Sequence, residues 1–141
     1  MGLGVVIRDS QGSMVAARCE VQKGSLVPAA AEAQAFLLAV QFCRELGLDH
    51  VHFEGDAKAV IDSVTSEQAD YSWMGHVIAD IKVKLQHLHQ RQVSFVRREG
   101  NNVAHLLAHF AVKNCVNNSW QLVPPECICD AVMSEVSTPS D

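Results

Sequence analysis

The chain has 141 residues, 48% of them hydrophobic and 19% charged, and a formal net charge of −5. That length suits one globular domain with a buried core, and no apolar run reaches the roughly 20 residues that a membrane-spanning helix requires. The acidic balance is a poor footprint for tight nucleic-acid binding, which rests on Lys and Arg set against phosphate, so such a partner would need local basic groups or a metal.

The apolar start, Met1 to Ile7, lacks the basic region and small-residue cleavage site of a signal peptide. It reads instead as a strand over 3–8, followed by the turn cluster Asp9-Ser10-Gln11-Gly12 and a second strand over 13–21. Together these predict an antiparallel hairpin. Pro28 opens a helix where its missing N–H costs nothing. The run to Leu46 is rich in Ala, Leu, Glu and Gln, and Gly47 is placed to stop it as the glycine just past a helix end. Phe36, Ala39, Val40 and Cys43 form the apolar stripe of that helix, and Glu32 lies one turn before Phe36 on the same stripe.

A strand over 50–53 follows, ended by Gly55-Asp56, then a short helix over 57–64 with Val60, Ile61 and Val64 apolar. A loop over 65–72 leads to a helix over 73–90, and a strand over 92–96 comes next. Gly100-Asn101-Asn102 opens a last helix to about Cys115, with Val103, Leu106, Leu107, Phe110 and Ala111 apolar. Beyond Asn117-Asn118 the chain contains Pro124-Pro125 and ends Ser-Thr-Pro-Ser-Asp. It reads as a loosely attached, flexible tail over 118–141 behind a domain of 1–117. The order is β-β-α-β-α-α-β-α, a mixed α/β fold. Five cysteines, an odd number without a secretory signal, point to reduced thiols in the nucleus or cytoplasm.

Glu32 on an apolar stripe and Asp56 at the carboxyl end of a strand are the chemical features of interest. Open α/β sheets place ligand sites at such strand ends. Paired carboxylates in a cleft repel each other unless a cation lies between them, and Mg²⁺ is the hard, oxygen-seeking choice. Two such ions about 4 Å apart would clamp the attacking and leaving oxygens of a phosphodiester. Two bland readings stand beside this one. Asp56 would serve equally as the N-cap of the helix behind it, and Glu32 as a first-turn carboxylate favoured by the helix dipole.

Four blocks carry a resemblance: Gly4-Val5-Val6-Ile7-Arg8-Asp9-Ser10-Gln11-Gly12, Ala31-Glu32-Ala33-Gln34-Ala35, Glu54-Gly55-Asp56-Ala57, and the run from Val96 to Ala108. In that order and spacing the chain resembles the reverse-transcriptase-like ribonuclease H family abundant in plant genomes, over about residues 3–115. The resemblance implies a ribonuclease H-like mixed sheet flanked by helices. It also implies two-metal, Mg²⁺- or Mn²⁺-dependent hydrolysis of the RNA strand of an RNA–DNA hybrid. Glu32 and Asp56 would be the metal-holding catalytic carboxylates, and Asn101 matches the family's asparagine four residues before its last acidic position.

That last position is His105 here, which would ligate metal or carry protons. Histidine is a poorer Mg²⁺ ligand than a carboxylate, though it suits softer ions better. The family also opens with a central strand bearing Asp-Gly ahead of the Gly-Val-Val-Ile strand, and the chain is expected to lack both that strand and its aspartate. Cleavage is therefore expected to be weak or absent, and the alternative is a non-catalytic nucleic-acid or protein interaction module on the same fold.

Arg97 and Arg98 are the expected phosphate contacts, since guanidinium pairs bidentately with phosphate, and Trp73 reads as a core or hinge aromatic. His105 and His109 stand at i and i+4, a spacing that can hold zinc, but no third ligand is evident. Cys127-Ile128-Cys129 is too closely spaced for a zinc knuckle. His87 and His89 read as solvated residues at a helix end.

Overall fold

The computed structural model describes residues 1–23, 27–68 and 74–136, the side chains of 98–99 and 133–136 excepted. Trp73 and the final Ser-Thr-Pro-Ser-Asp lie outside the described residues. In chain order the elements are β1 (Gly2–Arg8), β2 (Met14–Val21), α1 (Pro28–Glu45), β3 (His50–Gly55), α2 (Lys58–Thr65), α3 (Gly75–Leu85) and β4 (Gln90–Phe95). A 3-10 turn (Arg98–Asn101), α4 (Asn102–Asn114), β5 (Asn118–Gln121) and α5 (Glu126–Val136) complete them. The chain divides into two compact units, Met1–Ser25 with Asn102–Asp141, and Leu26–Asn101.

In the first unit β1 and β2 form the expected antiparallel hairpin. Its turn is held by Asp9, whose carboxylate accepts backbone N–H bonds from Gln11 and Ser13 at 2.9 and 3.0 Å. Helix α4 lies against β1 at very close range. A Cβ added at Gly2 would stand 2.1 Å from the Ala108 carbonyl oxygen, and one at Gly4 would stand 2.2 Å from that of Ala104. Strand and helix backbones therefore meet with no side chain between them, which only glycine permits. Val103, Leu107 and Ala111 of α4 are buried with Met14, Ala17 and Cys19 of β2, and Leu106 and Phe110 pack against that cluster.

The expected tail is corrected over 118–136. Residues 118–121 add a third strand, antiparallel to β2 with Ala17 opposite Trp120. The α5 residues Ile128 and Val132 enter the same buried cluster, and the Trp120 ring meets Phe110 edge-on at 6.0 Å. Apolar side chains at i and i+4 give α5 one buried face, which is the physical reason it docks.

In the second unit α1 begins at Pro28 and closes as anticipated. Gly47 adopts a positive φ of 72°, the Gly47 N–H bonds the Arg44 carbonyl at 3.1 Å, and the Leu48 N–H bonds that of Cys43 at 3.0 Å. These are the two bonds of a Schellman ending. β3 and β4 pair in parallel, from His50 opposite Gln90 to Gly55 opposite Phe95. Helix α3 is shorter than the expected 73–90. After Leu85 the turns tighten to i→i−3 bonds, His87 to Lys84 and Leu88 to Leu85, and the Gln90 N–H turns to the Asp49 carbonyl at 2.9 Å, which starts β4 two residues early. The helices α1, α2 and α3 pack on one another, with α1 also on β3 and α2 on β4. The strands are thus joined in two sheets, one antiparallel and one parallel, each with helices against it.

Candidate metal centre

Helix α1 and strand β3 position the two carboxylates. Glu32 stands in the second turn of α1, and Phe36 follows at i+4 on the same face. The Phe36 ring stacks on Phe53 of β3, centroids 5.3 Å apart and planes inclined by 26°. Both rings are buried. Three residues past Phe53, at the carboxyl end of β3, comes Asp56. The strand end there is tied to its neighbour by the Val96 N–H, which bonds the Gly55 carbonyl at 2.9 Å. The aromatic pair therefore fixes helix against strand one turn from Glu32 and three residues from Asp56. A carboxylate oxygen of Glu32 and one of Asp56 lie within 4.8 Å of each other, both residues half-buried.

Neither bland reading accounts for this. The N-cap of α2 is Ala57, and no side-chain bond caps the helix, so Asp56 is not spent on that role. The first turn of α1 contains no acidic residue, so Glu32 stands beyond the reach of strong dipole stabilisation. Two half-buried carboxylates at this separation repel each other, and a cation beside them relieves that repulsion. The donor set fits Mg²⁺, which binds through one or two carboxylates while keeping several waters.

The other expected residues are distributed as follows. Arg97 is exposed two residues past the end of β4, and Asn101 is half-buried at the end of the 3-10 turn. Arg98 lies in that turn, its side chain outside the described residues. His105 stands half-buried on α4 in the first unit. His109, Cys127 and Cys129 are exposed, and among the described residues none belongs to a group of three or more metal-ligating side chains. All five cysteines are free, with Cys19 and Cys43 buried. Sequence reasoning named Phe36 only as part of a stripe. The helical period places Phe36 on the inner face of α1, but its contact with Phe53 spans two elements and no local pattern carries it.

The fold and the paired carboxylates define a ribonuclease H-like α/β protein. Residues 1–111 match the family described as reverse transcriptase-like, and the chain belongs to that family. Among solved structures, ribonuclease H1 from the halophilic archaeon Halobacterium salinarum NRC-1 shares the fold with a TM-score of 0.74 at 21% identity, over 80% of this chain and 86% of that one. A comparison with curated proteins gives no match.

Proposed function

We propose that the chain is a nucleic-acid-binding domain of the ribonuclease H type. Its ligand class is the RNA–DNA hybrid, engaged through a divalent-cation centre on Glu32 and Asp56, and its cleavage of the RNA strand is weak or absent. The observation that carries this reading is the approach of the two carboxylates to within 4.8 Å. The family match supports it, because residues 1–111 hold Glu32, Asp56, Arg97, Arg98, Asn101 and His105 in one frame. Glu32 and Asp56 hold the cation, Arg97 and Arg98 meet backbone phosphates, and Asn101 orients the same stretch of backbone. A bound divalent ion supplies Lewis-acid polarisation of the phosphodiester and a more acidic water. In sequence, His105 stands at the family's last acidic position. Imidazole favours Mn²⁺ over Mg²⁺ and adds no negative charge, which is why turnover is impaired and Mn²⁺ is the better cofactor.

Calorimetric titration with Mg²⁺ and Mn²⁺, together with a hybrid-cleavage assay, tests the reading. Mn²⁺ should bind more tightly than Mg²⁺, and Glu32→Gln or Asp56→Asn should weaken binding about tenfold or more. Absence of binding at millimolar metal removes the centre. Robust hybrid turnover that disappears in Glu32→Gln removes the claim of impaired cleavage. The net charge of −5 favours a second reading, a protein interaction module on the same fold. Binding of neither metal nor hybrid would support it.

A further inference from the structure

The other end of the β3–β4 sheet carries a second cluster of polar side chains. His50 pairs with Gln90 and His52 with Gln92. Strand alternation turns Phe53 inward and leaves His50 and His52 exposed. His89, just before β4, lays its ring alongside that of His50, with centroids 5.7 Å apart and planes inclined by 16°. Its backbone is anchored, since the His89 N–H bonds the Asp49 carboxylate and the Gln90 N–H bonds the Asp49 carbonyl. The His52 ring is held by a 2.7 Å hydrogen bond between its Nε2 and the Ser94 hydroxyl. His50, His52, His89, Gln90, Arg91 and Gln92 line a cleft of about 560 Å³.

The chemistry of that lining is one-sided. Apart from Val51, which also lines the cleft, each of these side chains carries N–H groups: imidazole has at least one, the glutamine amide two and guanidinium five. Among the described residues, no carboxylate lines the cleft. The nearby acidic groups are Asp49, whose carboxylate already accepts the His89 N–H, and Glu54, two residues past His52 on β3. Arg91, opposite Val51 in the strand pairing, donates from its guanidinium to the Leu88 carbonyl at 3.4 Å and brings a fixed positive charge to the cleft's edge, which opposes a cation. The matching ligand has several acceptor oxygens and negative charge. We infer that this cleft binds a phosphate group, either free or on a nucleic-acid backbone. His50 and Asp56 are separated by six residues of extended strand, about 20 Å. The cleft is therefore distinct from the carboxylate pair and does not depend on it.

The test follows the imidazole signals of the full chain by NMR at pH 6.5 in EDTA, so that loss of the divalent-cation reading leaves it untouched. Inorganic phosphate, a short single-stranded oligonucleotide and an RNA–DNA hybrid are titrated separately. The His50 and His89 signals should shift saturably while those of His76 and His109 stay still. A His50→Gln, His89→Gln double variant and Arg91→Gln should each weaken the effect about tenfold, with the far-UV circular dichroism unchanged. Saturation by phosphate alone identifies a free-phosphate site, and saturation by an oligonucleotide alone identifies the backbone as the source. The inference fails if no arm moves these signals, if all seven histidines move together, or if both variants bind as the natural sequence does.

Discussion

Helices α1 and α4 end in the same way on different residues. At Gly47 the positive φ is free of steric cost, and a Cβ added there would meet nothing within 4 Å. At the end of α4 the equivalent place is Cys115, with φ of 52°, its N–H bonded to the Val112 carbonyl at 3.4 Å and the Val116 N–H to that of Ala111 at 3.2 Å. A left-handed conformation costs a residue with a Cβ about 1 kcal/mol. Cys115→Gly should therefore raise the unfolding free energy by about that amount, and Gly47→Ala should lower it by a similar amount, both read from urea denaturation midpoints. The first ending was legible because glycine announces it. The second was not, because nothing in a cysteine marks a left-handed turn. A different cysteine gives the chain an alkaline limit. Burial pushes the Cys43 thiol from 9.0 up to about 11. The folded state thus favours the neutral thiol, a contribution fully present below about pH 9 and lost as pH rises from 9 to 11. The stability of the natural sequence should fall more steeply over that window than that of Cys43→Ala. Parallel slopes in denaturation curves at pH 8, 9, 10 and 11 would count against it.

Between elements, the contacts that organise each unit join residues far apart in the chain, and that distance set what the sequence disclosed. The helical stripe of α1 and the alternation of β3 were both readable, but not that Phe36 and Phe53 meet. Nothing in the strand pattern of residues 3–8 gives Gly4 a role. Gly2 and Gly4 are where α4, a hundred residues on, presses its backbone onto the strand. A methyl group at Gly4 would stand 2.2 Å from the Ala104 carbonyl oxygen and 2.8 Å from the Ala108 nitrogen, and neither backbone atom can swing aside. Gly4→Ala should cost about 3 kcal/mol, the upper range for overpacking a tight contact, although alanine is otherwise better suited to a strand than glycine. An unchanged melting temperature would show that helix and strand can separate freely. The polar strand Asn118–Gln121 has no alternation to reveal it, and Pro124-Pro125 hides the helix that follows. Tertiary packing decides the state of both.

At the scale of the molecule, both regions that carry the site lay within the reach of sequence. Glu32 and Asp56 stand out as candidates because motif order, rather than any single motif, is specific. The helix boundaries, with Ala57 as the N-cap of α2 and Glu32 beyond the first turn of α1, set aside the capping and dipole readings. The C-terminal addition was beyond that reach, since the family match ends at residue 111 while the buried cluster of the first unit extends to Val132. This unit is assembled from both ends of the chain, with β5 paired to β2 and α5 packed on α4. Ile128 is fully buried and Val132 nearly so. Burying two such side chains is worth about 3–6 kcal/mol together, a large share of the roughly 5–15 kcal/mol that holds a domain of this size. A chain ended after Asn117 also uncovers Cys19 and Ala17 of β2, which no longer pairs with β5. Such a truncation should unfold at a markedly lower urea concentration and bind a hydrophobic dye in the absence of denaturant. A truncated chain that melts with the midpoint of the full one would mean that α5 rests on a core already complete without it.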